Sequence, residues 1–371
     1  MAEFSPGSLQ GATVAVTGAS GNVGTALLRR LTAPGSGVAE VRGLSRRTPP
    51  QQPPYDGVRW FSADLGTPGS EPVLAEFVAG ADVVVHLAWA LQPGREPELL
   101  RRVNVDGSRR VAQAAVAAGV PHLVHMSSIG AYAAGAVGQR VTEDWPITGV
   151  PSSQYSRDKS EAERVVRSVL APSATVLSIT RPTLVLQPEA GSEIGRYFLG
   201  PLLFGAARAL PGAVARLLPL PLPPVAISFV HADDVADALA RIADRRAPGP
   251  FNLAAEPVLD AAGIARALGS RRIPVPAAAL RPLLHAAFAA HLVPTEPGWL
   301  DLGTSLPALD TGRARRLLDW APAHRSDEVL PQFVTALGGG TGAPGALLTP
   351  ESGPALDPAG DPANTPGPRG G

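Results

Sequence analysis

Tyr155 and Lys159 stand four residues apart at the start of a strong helical pattern. In a helix, positions i and i+4 share a face. A phenol with a pKa near 10 is a poor base at neutral pH, and an ammonium beside it favours the phenolate and lowers that pKa. Lys159 is the only lysine in a chain with 31 arginines. Arginine cannot give up its proton and spreads its charge over a flat fork, whereas lysine is a compact point charge. The one position that keeps lysine is therefore a candidate for chemistry that arginine cannot do. Upstream, Met126-Ser127-Ser128 ends a β-rich run. Ligands of open α/β sheets bind at the carboxyl ends of the strands. A hydroxyl there can hold a substrate oxygen while Tyr155 exchanges a proton with it.

A second set of residues fits an anionic cofactor. Gly18, Gly21 and Gly24 follow the apolar run Thr13–Thr17 and open a helical pattern. Such glycines allow a tight turn and let the backbone approach a pyrophosphate seated on a helix N-terminus. The residue ending the next strand discriminates between cofactors. An acid there bonds the adenosine ribose and favours NAD, whereas an arginine accommodates the 2′-phosphate of NADP. The segment reads Leu44-Ser45-Arg46-Arg47, so NADP(H) is expected over NAD(H). Asp64 and Leu65, after a third strand, are placed to meet the adenine.

These residues require a particular scaffold. Strand-like runs at Thr13–Thr17, Val38–Leu44, Val58–Phe61, Val83–Leu87, His122–Met126 and Val176–Thr180 alternate with helical patterns, among them Pro97–Ala118 and Ser153–Leu170. Such alternation predicts an α/β fold, a Rossmann-type doubly wound parallel sheet with right-handed crossovers. The expected organisation is a flexible N-terminus over 1–10 and a dinucleotide-binding domain over 11–182. A small irregular C-terminal substrate cap follows over 183–337, with segments returning to the sheet near 228–253. The stretch 338–371 holds 10 Gly and 7 Pro and is expected to be disordered.

Composition excludes other classes. The chain has 371 residues and no cysteine, so disulfides, Cys-ligated metals and cysteine nucleophiles are absent. Lys+Arg and Asp+Glu are both 32, which argues against a nucleic-acid partner. The apolar stretch Tyr197–Phe229 is cut by Arg208, Arg216 and six prolines, so no membrane span is expected. The opening residues lack a signal-peptide pattern, and a cytoplasmic location is the expectation. The histidines show no metal spacing; His86 and His125 are read as hydrogen-bonded structural residues at strand ends.

The TGASGNVG loop, the MSSIGAY segment and YSRDK together resemble the extended short-chain dehydrogenase/reductase family, also called the NAD-dependent epimerase/dehydratase family. The resemblance extends through Asn104 in RRVNVDGS, Arg181-Pro182, FVHADDVA at 229–236 and FNL at 251–253, covering about residues 11–330. It implies Ser128, Tyr155 and Lys159 as a catalytic trio, with Lys159 also holding the nicotinamide ribose. It places cofactor contacts on Gly18, Ser20, Gly21, Asn22, Val23 and Gly24 of the loop. Ser45, Arg46, Arg47, Asp64 and Leu65 follow at the adenosine end. Leu87, Ala88, Asn104 and Arg181 complete the set, and the resemblance also implies that Asn104 is structural support near the site. By analogy, the two long helices could pair subunits into a homodimer.

Departures from that family's branches point to the reaction. Sugar-nucleotide dehydratases carry an Asp-Glu pair after the catalytic hydroxyl; here Ile129-Gly130 stand there. Sugar-nucleotide epimerases commonly have Asn where Leu184 stands and Tyr-Gly where Leu186-Gln187 stand, and an acid would be expected at Ser45. What remains resembles the reductase side, which includes hydroxysteroid dehydrogenases and dihydroflavonol-type reductases. Trp89, Leu91, Phe198, Leu199, Leu202, Leu203, Phe204, Leu217 and Leu218 suit an apolar carbonyl compound, or simply pack the cap. The expectation is NADPH-linked reduction of an apolar ketone, or the reverse oxidation. An epimerase with transiently reduced bound cofactor and a non-catalytic NADP-binding regulator are the alternatives.

Overall fold

The run TVAVT becomes β1 (Thr13–Thr17), with Val14, Ala15 and Val16 fully buried. It is covered on both faces, which is why its apolar residues run without alternation. The computed structural model describes residues 9–91, 95–191 and 219–339. Strands β2 (Glu40–Ser45), β3 (Arg59–Ser62), β4 (Val83–His86), β5 (His122–Met126) and β6 (Val176–Pro182) join β1 in one parallel sheet. Leu184–Leu186 (β7) pairs with Phe229–His231 (β8) beside it, and Gly249–Leu253 (β9) adds a seventh parallel strand next to β6. The sheet order is β9-β6-β5-β4-β1-β2-β3. The chain winds outward from β1 in one direction and, after β3, returns to β1's other side, so the switch point lies between β1 and β4, where α/β sheets open a crevice.

Helices cover both faces. Helix α1 (Asn22–Leu31) presents Val23, Leu27, Leu28 and Leu31 to Val14, Val16 and Val85, and shares that layer with Val235, Leu239 and Ile242 from the helix Ala232–Arg245. On the other face, α2 (Glu71–Val78), α4 (Gly107–Ala117) and α5 (Gln154–Leu170) bring Phe77, Val111, Ala115 and Val166 against Ala15, Val84 and Leu123. Each such aliphatic side chain contributes about 1.5–3 kcal/mol on burial.

Two local expectations are corrected and one element is added. The predicted helix Pro97–Ala118 is α3 (Pro97–Arg101), a π-helical turn over Arg102–Asp106 and then α4. Helix α2 went unread in the sequence. Leu9, expected within a flexible N-terminus, is buried, and its N–H donates to Asp244. Residues 1–8 and 340–371, and the apolar candidates Phe198, Leu199, Leu202, Leu203, Phe204, Leu217 and Leu218, lie outside the described residues.

The cap is assembled from short pieces. Leu220–Leu222 pairs with Arg272–Pro274, Ala226–Ile227 with Leu259–Asp260, and Ala308–Leu309 with Arg140–Val141. The helices Ala277–Ala289 and Gly298–Gly303 lie over the carboxyl edge of the sheet.

Candidate active site

A cavity of about 820 Å³ runs along the carboxyl edge of the sheet, from the glycine loop to Tyr155 and the cap. Gly18, Ser20, Gly21, Asn22, Val23 and Gly24 line one end. Gly18 has φ +67°, and a Cβ on it would lie 2.7 Å from the Ala88 nitrogen. A Cβ on Gly24 would lie 2.2 Å from the Gly18 carbonyl oxygen. The loop can therefore fold this tightly against the end of β4 only with glycine at both positions. Asn22 donates to the Val185 carbonyl and accepts, through its own carbonyl, from the Gln187 amide; Arg29 in turn donates to Gln187. Gln187 is thus a buried staple between the loop and the strand after β6.

At the mouth, the Ser45 hydroxyl donates to the Arg47 carbonyl at 2.7 Å and shapes the turn that carries Arg46 and Arg47. Both arginines line the cavity, and the carboxylate that would meet a ribose is absent from the end of β2. Asp64 accepts from the Gly66 N–H, and with Leu65, Leu87 and Ala88 it also lines the cavity. The open end of a glycine cradle at a helix N-terminus, flanked by two guanidiniums, fits a phosphate-rich dinucleotide.

At the other end, α5 starts at the Ser153 N-cap, whose hydroxyl accepts from Ser156 N–H, while Glu296 from the cap accepts from Gln154 N–H. This places Tyr155 and Lys159 on the cavity side of one helix. Ser128 caps a short turn and accepts from Gly130 N–H at 3.0 Å. A Cβ on Gly130 would meet the Tyr155 ring at 2.8 Å. The glycine that stands where dehydratases carry an acid is therefore what admits the phenol to Ser128. Burial pushes Tyr155 up to about 12, and the Ser128 hydrogen bond opposes that shift. The expected lowering by Lys159 is corrected: desolvation of the phenolate prevails, and the opposing pull comes from Ser128. Burial likewise brings Lys159 down to about 7, with Glu163 pulling the other way. Its Nζ donates to the Met126 carbonyl at 3.2 Å and sits 3.5 Å above the Trp89 ring centroid.

Two expected cofactor residues take other roles. Arg181 is 1% exposed and absent from the cavity wall. Its guanidinium donates to both Glu163 oxygens, to the Tyr132 hydroxyl and to the Glu143 carbonyl, so it is bound within the scaffold. Asn104 is also buried behind the wall, and its side-chain amide both accepts from Ala90 N–H and donates to Ala90 O. It fixes the loop after β4 rather than facing the cavity. Among the histidines, His86 bonds Thr17 and Ser108 as expected of a structural residue. His125 stacks on His86 with centroids 5.4 Å apart, but neither ring nitrogen has a partner among the described residues.

The cap wall was not legible in the sequence. Trp299 stacks on Tyr155 at 4.7 Å between centroids, and Ile227, Leu284, Leu300, Leu302 and Leu306 join Leu184 and Leu91 around it. Gly298 makes this docking possible, because a Cβ there would lie 2.4 Å from the Ser152 carbonyl oxygen. Among the described residues, the cap contributes no charged side chain to the cavity.

With this geometry in view, residues 14–254 match the model of the NAD dependent epimerase/dehydratase family, and the chain belongs to that family. It is 30% identical over 183 residues to sterol-4-alpha-carboxylate 3-dehydrogenase, decarboxylating, of Saccharomyces cerevisiae, covering 47% of this chain and 52% of that one. It is 34% identical over 173 residues to the 4-hydroxy-2-methyl-3-oxo-4-farnesyl-3,4-dihydroquinoline-1-oxide ketoreductase of Stigmatella aurantiaca, covering 46% and 49%. A UDP-glucose 4-epimerase of Mycolicibacterium smegmatis is 34% identical over 154 residues, covering 40% and 48%. The chain spans about half the length of these curated relatives. MoeE5 in complex with UDP-glucuronic acid and NAD superposes with a TM-score of 0.62 at 22% identity, covering 88% of this chain and 98% of that one. That likeness is one of fold.

Proposed function

We propose that this protein is an NADP(H)-dependent oxidoreductase that reduces an apolar ketone, or oxidises the corresponding alcohol, with Ser128, Tyr155 and Lys159 as its working residues. The observation that carries the reading is the contrast across one cavity: a polar glycine cradle flanked by Arg46 and Arg47 at one end, and a cap wall of Trp299, Leu300, Leu302 and Leu306 at the other. An uncharged wall suits a substrate with few polar anchors. A sugar nucleotide would bring a diphosphate to it. The sterol dehydrogenase and the farnesyl-quinoline ketoreductase among the relatives carry names of the same chemical kind.

When bound, the dinucleotide supplies or accepts the hydride. The glycine loop would hold its pyrophosphate, and Arg46 and Arg47 the 2′-phosphate. In the reductive direction, the Ser128 hydroxyl donates a hydrogen bond to the carbonyl oxygen, where negative charge develops. Tyr155 gives that oxygen its proton and is left as phenolate, so carbonyl becomes alcohol. A phenol held protonated by burial is the form this direction needs. The Lys159 ammonium on the next helical turn stabilises the phenolate electrostatically. Trp299, stacked on Tyr155, excludes water from the transfer.

The test is a parallel screen of apolar ketones and sugar nucleotides with NADPH and NADH, following cofactor absorbance and product stereochemistry. Consumption of NADPH by an apolar ketone is expected. Turnover of a sugar nucleotide without net cofactor change would replace this reading with the epimerase.

A further inference from the structure

Trp89 follows β4 and is clamped by a chain of contacts that the proposed reaction leaves unexplained. The π-helical turn over Arg102–Asp106 buries Val103, Asn104 and Val105 in succession. Asn104 pins Ala90 by two hydrogen bonds, of 2.7 and 2.9 Å, fixing the backbone next to Trp89. The indole is packed with Val105, Ala162 and Val165, and its edge meets the Tyr155 ring at 6.0 Å between centroids. Its Nε1 is buried and has no partner among the described residues. Hydrogen bonding therefore does not explain the ring's placement; what the ring does make is the 3.5 Å approach of its face to the Lys159 ammonium.

Lys159 is 2% exposed. A buried ammonium needs compensation, and the ordinary partner is a carboxylate. The nearby candidate, Glu163, is already bonded by Arg181 and Arg167. The other titratable groups facing Lys159 are Tyr155 on its own helix, His86 on β4 and His125 on β5, both histidines held neutral by burial. The face of an indole attracts a cation within about 6 Å through its quadrupole. It does so without adding net negative charge beside Tyr155.

We propose that Trp89 is a positioning residue whose indole face holds the Lys159 ammonium beside Tyr155 in place of a carboxylate. This rests on the reading of Tyr155 and Lys159 as the working pair, but the contact itself can be measured without any substrate.

Because Lys159 is the chain's only lysine, full-length protein labelled with ¹³C-lysine gives a single side-chain signal, whose pH titration reads this ammonium directly. The wild-type midpoint is expected near 7, as burial sets it. Trp89→Leu should lower it by about one pH unit, the size of a desolvated cation–π contact, and Trp89→Phe by less. The alkaline limb of the turnover profile should move down in the same order. Equal midpoints in all three proteins would overturn the proposal. Should the Leu variant fail to fold, an unchanged midpoint in Trp89→Phe alone does the same. Shifted midpoints in a protein that turns over no ketone would uphold the role of Trp89 and sink the functional reading instead.

Discussion

Two buried cations lie close together on either side of Glu163, and their surroundings differ. Arg181, on β6, directs its guanidinium to four acceptors: two Glu163 oxygens, the Tyr132 hydroxyl and the Glu143 carbonyl. Its charge rests on the Tyr132 ring as well. Lys159, on α5, has one hydrogen bond, to the Met126 carbonyl, and an aromatic face. Arg181 is closed off from the cavity and Lys159 lines it. A cation with all three nitrogens bonded to the scaffold has little left for a ligand, whereas a cation with one bond and spare donors can still take one. Burial alone does not separate the two; the completeness of hydrogen bonding does.

The strongest way to break this comparison is at the reactive end. Tyr155→Phe should reduce turnover by about 10²–10⁴-fold, the usual worth of general acid–base help, with dinucleotide affinity and melting temperature close to wild type. Lys159→Arg should lose a comparable factor, because the flat fork misplaces the charge. Wild-type rates in Lys159→Arg would make the two cations equivalent.

The scaffold end should respond in stability instead. Burial would raise the Glu163 carboxyl, but Arg181 and Arg167 hold it below the usual carboxylate range. Glu163→Gln leaves Arg181 buried without its counter-charge, which should cost about 3–5 kcal/mol in urea denaturation. Turnover per folded molecule should fall less than in Tyr155→Phe and should persist at higher pH less than in the wild type, because Glu163 no longer supports the Lys159 ammonium. The double change Glu163→Met with Arg181→Leu should recover most of the stability, since well-packed apolar replacements of buried pairs are often neutral.

Acid should sharpen the contrast further. Burial depresses His86 to about 3 and His122 to about 4, and holds His125 well below its ordinary value. Between about pH 6.5 and those values the unfolded chain binds protons that the folded chain does not. Stability from these groups is therefore complete above pH 6.5 and falls as pH drops, by up to about 1.4 kcal/mol per pH unit for each histidine. Melting temperatures measured from pH 7 to pH 4 should decline, and the decline should be shallower in His125→Phe. The smallest expected effect is at the cavity mouth. Arg46→Ala should weaken NADP(H) binding by about 10–100-fold, the worth of one charge-assisted contact, and leave NAD(H) binding unchanged by titration calorimetry. An equal loss for both cofactors would remove the 2′-phosphate assignment.

The parts of the molecule that rest on local pattern were readable in advance. Thr13–Thr17 and His122–Met126 match their strands residue for residue, because continuous apolar runs bounded by turn residues leave little choice. The glycine loop and the Tyr155–Lys159 spacing likewise depend only on neighbours in sequence. Helix α2, eight residues behind a Pro-Gly-Ser turn, was too short for its periodicity to register. The role of Arg181 depends on Glu163, which another element brings to it. The face that Trp89 turns to Lys159 joins positions 70 apart in the chain. The cap wall was hidden for a different reason: Leu300, Leu302 and Leu306 have the composition of core residues, and only the fold places them on the cavity that Tyr155 also lines.

The π-helical turn over Arg102–Asp106 holds one residue more than a regular α-helical path would. Across it Val103, Asn104 and Val105 are buried in succession. The wider turn absorbs one additional residue and resets the helical phase, so that Leu100 before it and Val111 after it both still face the interior. Arg102 is exposed at its rim and can vary with little effect. Removing the one additional residue would return the segment to a regular α-helix with both flanks still in phase. What would be lost is the placement of Asn104, and with it the two hydrogen bonds that fix Ala90.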